Sequence, residues 1–228
     1  MMSKTPAPAG LEVRIPAGIA WLYGDLCVPA GAAGLVLFAH GSGSGRHSAR
    51  NRQVAARLQQ AGIATLLFDL LTAQEEQVDI STREHRFDIP LLTGRMQDAT
   101  AWVQAQMQLR DLPVGYFGAS TGSAAALIAA ARLGNKISAV VSRGGRPDLA
   151  GPAALAAVTA PTLLIVGGAD GGVIELNRDA LARLRCEKRL AIVPGATHLF
   201  EEPGTLEQVG DLAASWFSGH LARVEHAA

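Results

Sequence analysis

The sequence predicts an α/β fold with a mostly parallel, doubly wound sheet, and three observations lead to this prediction. A chain of 228 residues, 49% of them hydrophobic, can bury one sizeable core but is short for two. Short apolar runs alternate along the chain with segments whose apolar residues recur at helical spacing. Because these runs are apolar throughout, helices are expected on both faces of the sheet, as in parallel sheets.

Local patterns predict the elements in order. Residues 11–28 alternate well enough for two short strands that meet near residues 16–18, and residues 29–34 are rich in turn formers. The six apolar runs predict strands at 34–39, 63–68, 114–117, 137–141, 162–166 and 189–193. The amphipathic segments predict helices at 49–60, 90–109, 122–133, 174–184 and 206–221. The predicted organisation is a flexible N-terminus (1–10), a single domain (11–221) and a C-terminal tail (222–228).

Composition argues against several classes of partner. The 20 Lys and Arg residues equal the 20 Asp and Glu residues, so no net field attracts nucleic acid or an anionic membrane. No apolar run approaches the roughly 18 residues that cross a bilayer, and residues 1–10 lack the apolar core of a signal peptide. The two cysteines are far apart and belong to no paired motif. We therefore expect a cytoplasmic protein with no nucleic-acid or membrane partner.

Polar residues collect directly after the predicted strands. Ligands of such sheets bind outside the carboxyl ends of the strands, so these residues are candidates for a site. They are His40, Asp69, Ser120, Ser142 with Arg143, Asp170 and His198.

Ser120 is the candidate nucleophile. It lies in the pattern Gly118-x-Ser-x-Gly122, between a predicted strand and an alanine-rich helix. A serine on such a sharp turn is exposed in strained geometry, and the helix directs its first amides at the developing negative charge. A plain glycine-rich packing turn is the alternative.

His198 and Asp170 are the candidate base and acid. A serine hydroxyl needs a base, and the base needs an orienting acid. His198 follows the last predicted strand, whereas four other histidines lie near a helix start (His47), in a charged loop (His85) or in the last helix and tail (His220 and His226). Asp170 follows the strand before it, although it could instead cap the next helix. Asp148 is the rival acid.

The chain resembles the α/β-hydrolase superfamily, and within it the short, lidless dienelactone-hydrolase-like group. The resemblance covers residues 11–221 and rests on His40-Gly41, Gly118-Ala-Ser-Thr-Gly122, Gly167-Gly-Ala-Asp170 and Pro194-Gly-Ala-Thr-His198. It implies the order Ser, acid, His and a backbone oxyanion hole formed by Ser42 and Thr121. Dienelactone hydrolases carry cysteine where this chain has Ser120, which points toward general ester hydrolysis.

The glycine-rich segment after the first long strand has a second interpretation, a dinucleotide-binding turn. That fingerprint needs glycine at its sixth position, where this chain has Arg46. In the hydrolase interpretation, Asp69 would instead hold loop backbone or pair with a nearby arginine.

Three residues are candidates for substrate contacts: His40, Gly41 and Arg143. Arg143 or Arg146 could attract an acidic group of the substrate, and the alternative is a structural salt bridge to Asp148 or Asp69. The charged segment 71–89 is expected to be an irregular loop, or a partial rim of the pocket. The stretch 142–162 is too short for a lid domain.

The sequence thus predicts a serine hydrolase that cleaves small carboxylic esters through an acyl-enzyme. It predicts no cofactor and, because no HExxH or CxxC motif occurs, no metal site. Two alternatives remain open: a catalytically idle binding or regulatory protein on the same scaffold, and a thioesterase or acyltransferase with the same triad. The oligomeric state stays undetermined.

Overall fold

A computed structural model describes residues 10–221, which build one eight-stranded sheet in the order β1-β2-β4-β3-β5-β6-β7-β8. Strands β1 and β2 form an antiparallel hairpin, β2 pairs antiparallel with β4, and all other pairs are parallel. The predicted N-terminal segment, apart from Gly10, and the predicted tail lie outside the described residues. The strands are β1 (Leu11–Ala17), β2 (Ala20–Cys27), β3 (Leu35–Ala39), β4 (Ala64–Phe68), β5 (Val114–Ala119), β6 (Ile137–Arg143), β7 (Thr162–Gly167) and β8 (Lys188–Val193).

Helices cover both faces of the sheet, which confirms the predicted fold class. Two helices pack on one face, where Val54 and Leu58 meet Val209 and Phe217 in a buried cluster. The other face buries the alanine-rich helix and its neighbours in a second cluster. The helices are α1 (Ala49–Gln60), α2 (Ala73–Thr82), α3 (Ile89–Ala105), α4 (Thr121–Leu133), α5 (Gly151–Ala157), α6 (Gly171–Arg183) and α7 (Thr205–His220), with 3₁₀ turns at Gly134–Lys136 and Pro147–Ala150.

The prediction that residues 71–89 form an irregular loop is wrong, because ten of them form helix α2. Thr72 caps this helix, because its hydroxyl oxygen accepts from the Glu75 amide and the Glu75 carboxylate accepts from the Thr72 amide. This reciprocal capping box satisfies two amides that would otherwise lack partners at the helix start. The loop after α2 is held by the buried carboxylate of Asp79, which accepts bonds from Arg86 and the His85 amide.

The connection from β6 to β7 contains only a 3₁₀ turn and the seven-residue helix α5. The absence of a lid domain at this point agrees with the prediction. The carboxyl ends of β3, β5, β6 and β7 therefore open directly onto the loops that follow them. Within residues 10–221, no helix is both long and apolar enough to span a bilayer.

Candidate active site

Ser120 lies at the sharp turn between β5 and α4. Its backbone has φ 50° and ψ −123°, and a positive φ is costly for a residue other than glycine. The neighbouring strand holds this geometry in place, because the Ser120 amide donates to the Arg143 carbonyl at 3.2 Å. The Arg146 amide in turn donates to the Ser120 carbonyl at 3.0 Å. The loop after β6 thus fixes the backbone of the candidate nucleophile from both sides.

The two glycines that flank Ser120 allow the close packing around this turn. A Cβ atom on Gly118 would lie 2.5 Å from the Ser123 Cα atom. A Cβ atom on Gly122 would lie 2.3 Å from the Ala39 carbonyl oxygen and 2.5 Å from the His40 carbonyl oxygen. Any side chain at either position would push α4 away from β3 and β5, which explains the Gly-x-Ser-x-Gly pattern in steric terms.

His198 and Asp170 are brought together from the loops after β8 and β7. The Nδ1 atom of His198 lies 2.7 Å from Oδ2 of Asp170. An ionised carboxylate can only accept, so Nδ1 carries the proton and Nε2 is left free to act as a base. Asp170 stands at the N-cap of α6 but makes no side-chain capping bond. The Asp170 carboxylate therefore hydrogen-bonds to His198 and does not cap the helix.

Asp148, the rival acid, is occupied elsewhere. Its two carboxylate oxygens accept a bidentate pair of bonds from Arg146, at 2.9 and 2.7 Å. These bonds, together with the Asp148 charge, raise the pKa of Arg146. The structure thus separates the two acids that the sequence left as alternatives.

A second polar pair supports the loop that carries His198. The Glu202 carboxylate accepts from the Thr197 amide at 3.1 Å and from the Thr197 hydroxyl at 2.6 Å. These bonds hold the pKa of Glu202 below its ordinary value. Phe200, two residues after the histidine, is buried in the core with a positive φ of 56°. The loop is therefore anchored on both sides of His198.

Ser120 and His198 line the same cleft, whose volume is about 200 Å³. No hydrogen bond joins their side chains in the part of the chain that is described. Catalytic hydrogen bonds are often long without substrate and tighten in the complex, so the lack of this bond does not argue against proton transfer between the two residues. The His198 side chain is 37% exposed, so solvent reaches the base.

The two amides expected to form an oxyanion hole differ in their surroundings. Thr121 is the first residue of α4, where the amides lack partners within the helix and the helix dipole favours negative charge. The Ser42 amide, in contrast, donates to the Thr121 hydroxyl at 3.0 Å. For the Ser42 amide to bind an oxyanion, it would have to exchange the Thr121 hydroxyl for the substrate oxygen.

His40 does not have the free ring nitrogen that a substrate contact would require. Its Nε2 atom accepts from the Leu70 amide at 3.0 Å, so Nδ1 must carry the proton, and it lies 3.0 Å from the Gly41 carbonyl. Burial lowers the pKa of His40, which keeps the ring neutral. His40 thus ties the glycine-rich loop to the end of β4, and its contact with substrate, which would have to replace one of these two partners, stays a prediction. Gly41, by contrast, lines the cleft, and a Cβ atom there would lie 3.0 Å from the Ser120 Cβ atom.

Asp69 holds loop backbone and pairs with an arginine, as expected in the hydrolase interpretation. Its Oδ1 atom accepts from the Arg46 amide at 2.8 Å, and its Oδ2 atom lies 3.3 Å from the Arg46 Nε atom. Arg46, the residue at the sixth position that does not fit the dinucleotide fingerprint, thus holds the glycine-rich loop against Asp69.

Arg143 differs from Arg146 in a way that the sequence did not predict. Arg146 forms the expected salt bridge to Asp148, whereas Arg143 forms none with any residue that the structure describes, and it pairs with neither Asp148 nor Asp69, so the expectation of a structural salt bridge is wrong for Arg143. Arg143 is buried beside the cleft and lines it together with Arg50 and Asn51. No sequence pattern indicates Arg50 and Asn51 as site residues, because they lie in the first turn of α1 and approach Ser120 only through the fold.

The fold and this arrangement define an α/β hydrolase, and comparison with known proteins supports that class. Residues 32–210 match the family model described as an alpha/beta hydrolase domain. The match covers more than half of the chain, so the chain belongs to the α/β-hydrolase family.

Among solved structures, the chain is similar to a dienelactone hydrolase of Anabaena variabilis. The identity is 57%, the TM-score is 0.93, and the match covers 94% of this chain and 99% of that one. A lidless serine hydrolase of Xanthomonas campestris, XC6422, is 20% identical with a TM-score of 0.73, covering 92% of this chain and 94% of its own. At that identity the second likeness concerns the fold alone. The chain is therefore dienelactone-hydrolase-like.

Two curated relatives come from strains of Mycobacterium tuberculosis, and both carry the provisional name of a phosphoribosyl transferase. Each is 58% identical over 210 residues, which is 92% of this chain. The matched region is only 46% of each relative. This chain thus spans about half the length of the curated relatives that it matches.

Proposed function

We propose that this protein is a serine hydrolase of small carboxylic esters, with Ser120 as nucleophile, His198 as base and Asp170 as the orienting acid. The observation that carries the proposal is the bond of 2.7 Å between His198 and Asp170, beside a cleft that also contains the strained Ser120. A histidine held by a carboxylate, next to a serine at a strand-to-helix turn, has the parts needed for nucleophilic acyl transfer.

In the proposed mechanism, His198 Nε2 takes the hydroxyl proton as Ser120 Oγ attacks the ester carbonyl carbon. The carbonyl oxygen becomes an oxyanion, which the Thr121 amide at the start of α4 stabilises. The Ser42 amide joins it when the oxyanion displaces the Thr121 hydroxyl. His198 then gives its proton to the leaving alcohol, and the acyl group remains on Ser120. A water activated by His198 releases the acid and restores the serine.

In this mechanism, Asp170 Oδ2 accepts the hydrogen bond from His198 Nδ1 throughout the cycle. While the imidazole is neutral, the carboxylate holds the proton on Nδ1. When the imidazole becomes positively charged, the same carboxylate stabilises it across 2.7 Å. The acid therefore contributes in both protonation states of the base.

Water as the acyl acceptor agrees with the open geometry of the cleft. No lid domain separates β6 from β7, and His198 is partly exposed to solvent. A thioesterase would use the same residues with a thiol as leaving group, and an acyltransferase would replace the water with another acceptor. The transferase name of the mycobacterial relatives belongs to chains about twice as long, and the part they share with this chain contains the hydrolase domain.

Hydrolysis of 4-nitrophenyl acetate and butyrate tests the proposal. We expect turnover by the native protein, and losses of at least about a thousandfold in kcat in Ser120→Ala and His198→Ala. Ser218→Ala and His47→Ala are matched controls, because these exposed side chains lie outside the cleft. A folded native protein that hydrolyses neither ester, nor a thioester, would favour the idle scaffold.

A further inference from the structure

The guanidinium of Arg143 is a buried cation that has no carboxylate partner among the described residues. The residue is only 7% exposed. Its Nε and Nη1 atoms are buried without any hydrogen bond, and within residues 10–221 no carboxylate pairs with it. Buried polar atoms are almost always satisfied, and an isolated buried charge is costly. The absence of a partner within the described chain therefore points to a ligand that supplies one.

The position of Arg143 places it beside the reaction centre. It ends β6, and its carbonyl oxygen accepts the Ser120 amide at 3.2 Å. Its side chain lines the cleft that contains Ser120 and His198. The Phe200 ring, whose centroid is 5.9 Å from the guanidinium carbon, covers one side of the group. A substrate bound at Ser120 would therefore lie in the same cleft as the Arg143 side chain.

A second arginine adds positive charge to the same cleft. Arg50, in the first turn of α1, has a buried Nε atom without a hydrogen bond, while its Nη1 atom donates to Glu201 at 3.2 Å. Burial first, and the Arg50 charge second, lower the pKa of Arg143 to about 10, so it is still protonated at neutral pH. Among the described residues that line this cleft there is no Asp or Glu, so the lining that the structure describes is positive.

We propose that Arg143, assisted by Arg50, forms a subsite for an anionic group, a carboxylate or a phosphate, on the substrate of Ser120. A planar guanidinium can donate two parallel hydrogen bonds to the oxygens of such a group, and the negative charge of the group would compensate the buried cation. The inference rests on the proposed function, ester hydrolysis at Ser120. It narrows the proposed substrates to esters that carry a negative charge.

Paired substrates test the subsite. Mono-4-nitrophenyl succinate is compared with its neutral methyl ester, and the 4-nitrophenyl ester of 3-phosphonopropanoate with its neutral diethyl ester. The native protein should prefer the charged member of at least one pair. In Arg143→Gln, kcat/KM for that member should fall about 10- to 100-fold, while the value for the neutral partner changes by less than about threefold. The pair that shows the preference distinguishes carboxylate from phosphate.

Two further variants control this experiment. Arg50→Gln should shift selectivity in the same direction by a smaller factor, and it decides the question if Arg143→Gln fails to fold. Arg178→Gln, on the exposed surface of α6 and paired with Glu175, should leave both rates unchanged. Equal losses on charged and neutral esters in the Arg143 variant, or no preference in the native protein, would overturn the subsite.

A binding measurement separates this inference from the proposed hydrolysis. Monomethyl succinate and methylphosphonate are titrated calorimetrically into Ser120→Ala and into the double variant that also has Arg143→Gln. Binding of either anion that weakens at least about tenfold in the double variant supports the subsite, even if the native protein cleaves no ester. Equal affinity in both variants, or no binding to either, argues against it.

Discussion

Replacing Asp170 with asparagine changes the group that faces His198 while keeping its shape. In the native protein, the Asp170 carboxylate accepts the Nδ1 proton of His198 at 2.7 Å. An asparagine amide nitrogen turned toward Nδ1 would donate instead, and the imidazole proton would then move to Nε2. Because Nε2 must take the Ser120 proton, this tautomer cannot act as the base.

The expected loss can be derived from this geometry. In hydrolases with this triad, the tautomer error lowers kcat by about 10⁴, which corresponds to about 5.4 kcal/mol of activation free energy. The Asp170 side chain is 17% exposed, so water can partly replace the lost acceptor. We therefore expect Asp170→Asn to lower kcat by roughly 10³- to 10⁴-fold. The change in unfolding free energy should be only about 1 kcal/mol, because a single partly exposed bond is altered.

The assay compares kcat for 4-nitrophenyl butyrate in Asp170→Asn and Asp148→Asn, with urea unfolding of both. Asp148 receives its two bonds from Arg146, so its variant should keep kcat within about threefold of the native value. The reasoning is refuted if Asp170→Asn keeps more than a tenth of the native rate. It is equally refuted if the Asp148 variant is the more impaired of the two.

Three other predictions concern the supports of the site. Gly122→Ala should lower the unfolding free energy by about 2 kcal/mol or more, since its Cβ atom would lie 2.3 Å from a backbone carbonyl oxygen. Gly94→Ala, in an open position of α3, should raise it by about 1 kcal/mol in the same urea titration. Burial raises the pKa of Asp79, but hydrogen bonds from the following loop outweigh this effect, so the native pKa lies below the ordinary 3.8. The Asp79 carboxylate therefore stabilises the native state fully above that ordinary value, and the stabilisation is lost as the pH falls through the lowered native pKa. Asp79→Asn should remove this acid-dependent part from a series of unfolding curves, and an unchanged pH dependence would count against the assignment. Glu202→Ala should lower kcat about tenfold with little change in KM, because the Thr197 bonds that hold the His198 loop are lost; a loss confined to KM would contradict this role.

The sequence was sufficient for the sheet and for the residues at its carboxyl edge, because both depend on local patterns. Continuous apolar runs predicted the six strands after the hairpin to within two residues at each end. Helix α2 was missed because its charged composition is also typical of a loop. Thr72 and Glu75, at capping-box spacing, were the signal that could have predicted its start. Helix α5 is short and has no amphipathic repeat, so periodicity could not detect it.

Which residues pair with each other within the site could not be predicted from the residue types alone. Two arginines and an aspartate occur within the six residues 143–148, which begin with the last residue of β6. Only the fold determines that Arg146 pairs with Asp148, while Arg143 is buried without an acidic partner among the described residues. The same holds for the Ser42 amide, whose contact with the Thr121 hydroxyl joins residues 79 positions apart. Such contacts depend on how strands pair across the sheet, which no local window of sequence contains.

Peptide mapping after reaction with a fluorophosphonate tests most directly whether the imidazole of His198 makes the Ser120 oxygen nucleophilic. We predict one phosphonyl adduct, located on Ser120, that forms at least about a hundredfold more slowly in His198→Ala. Native protein that stays unmodified while folded, or labelling at another residue with Ser120 intact, would contradict this account.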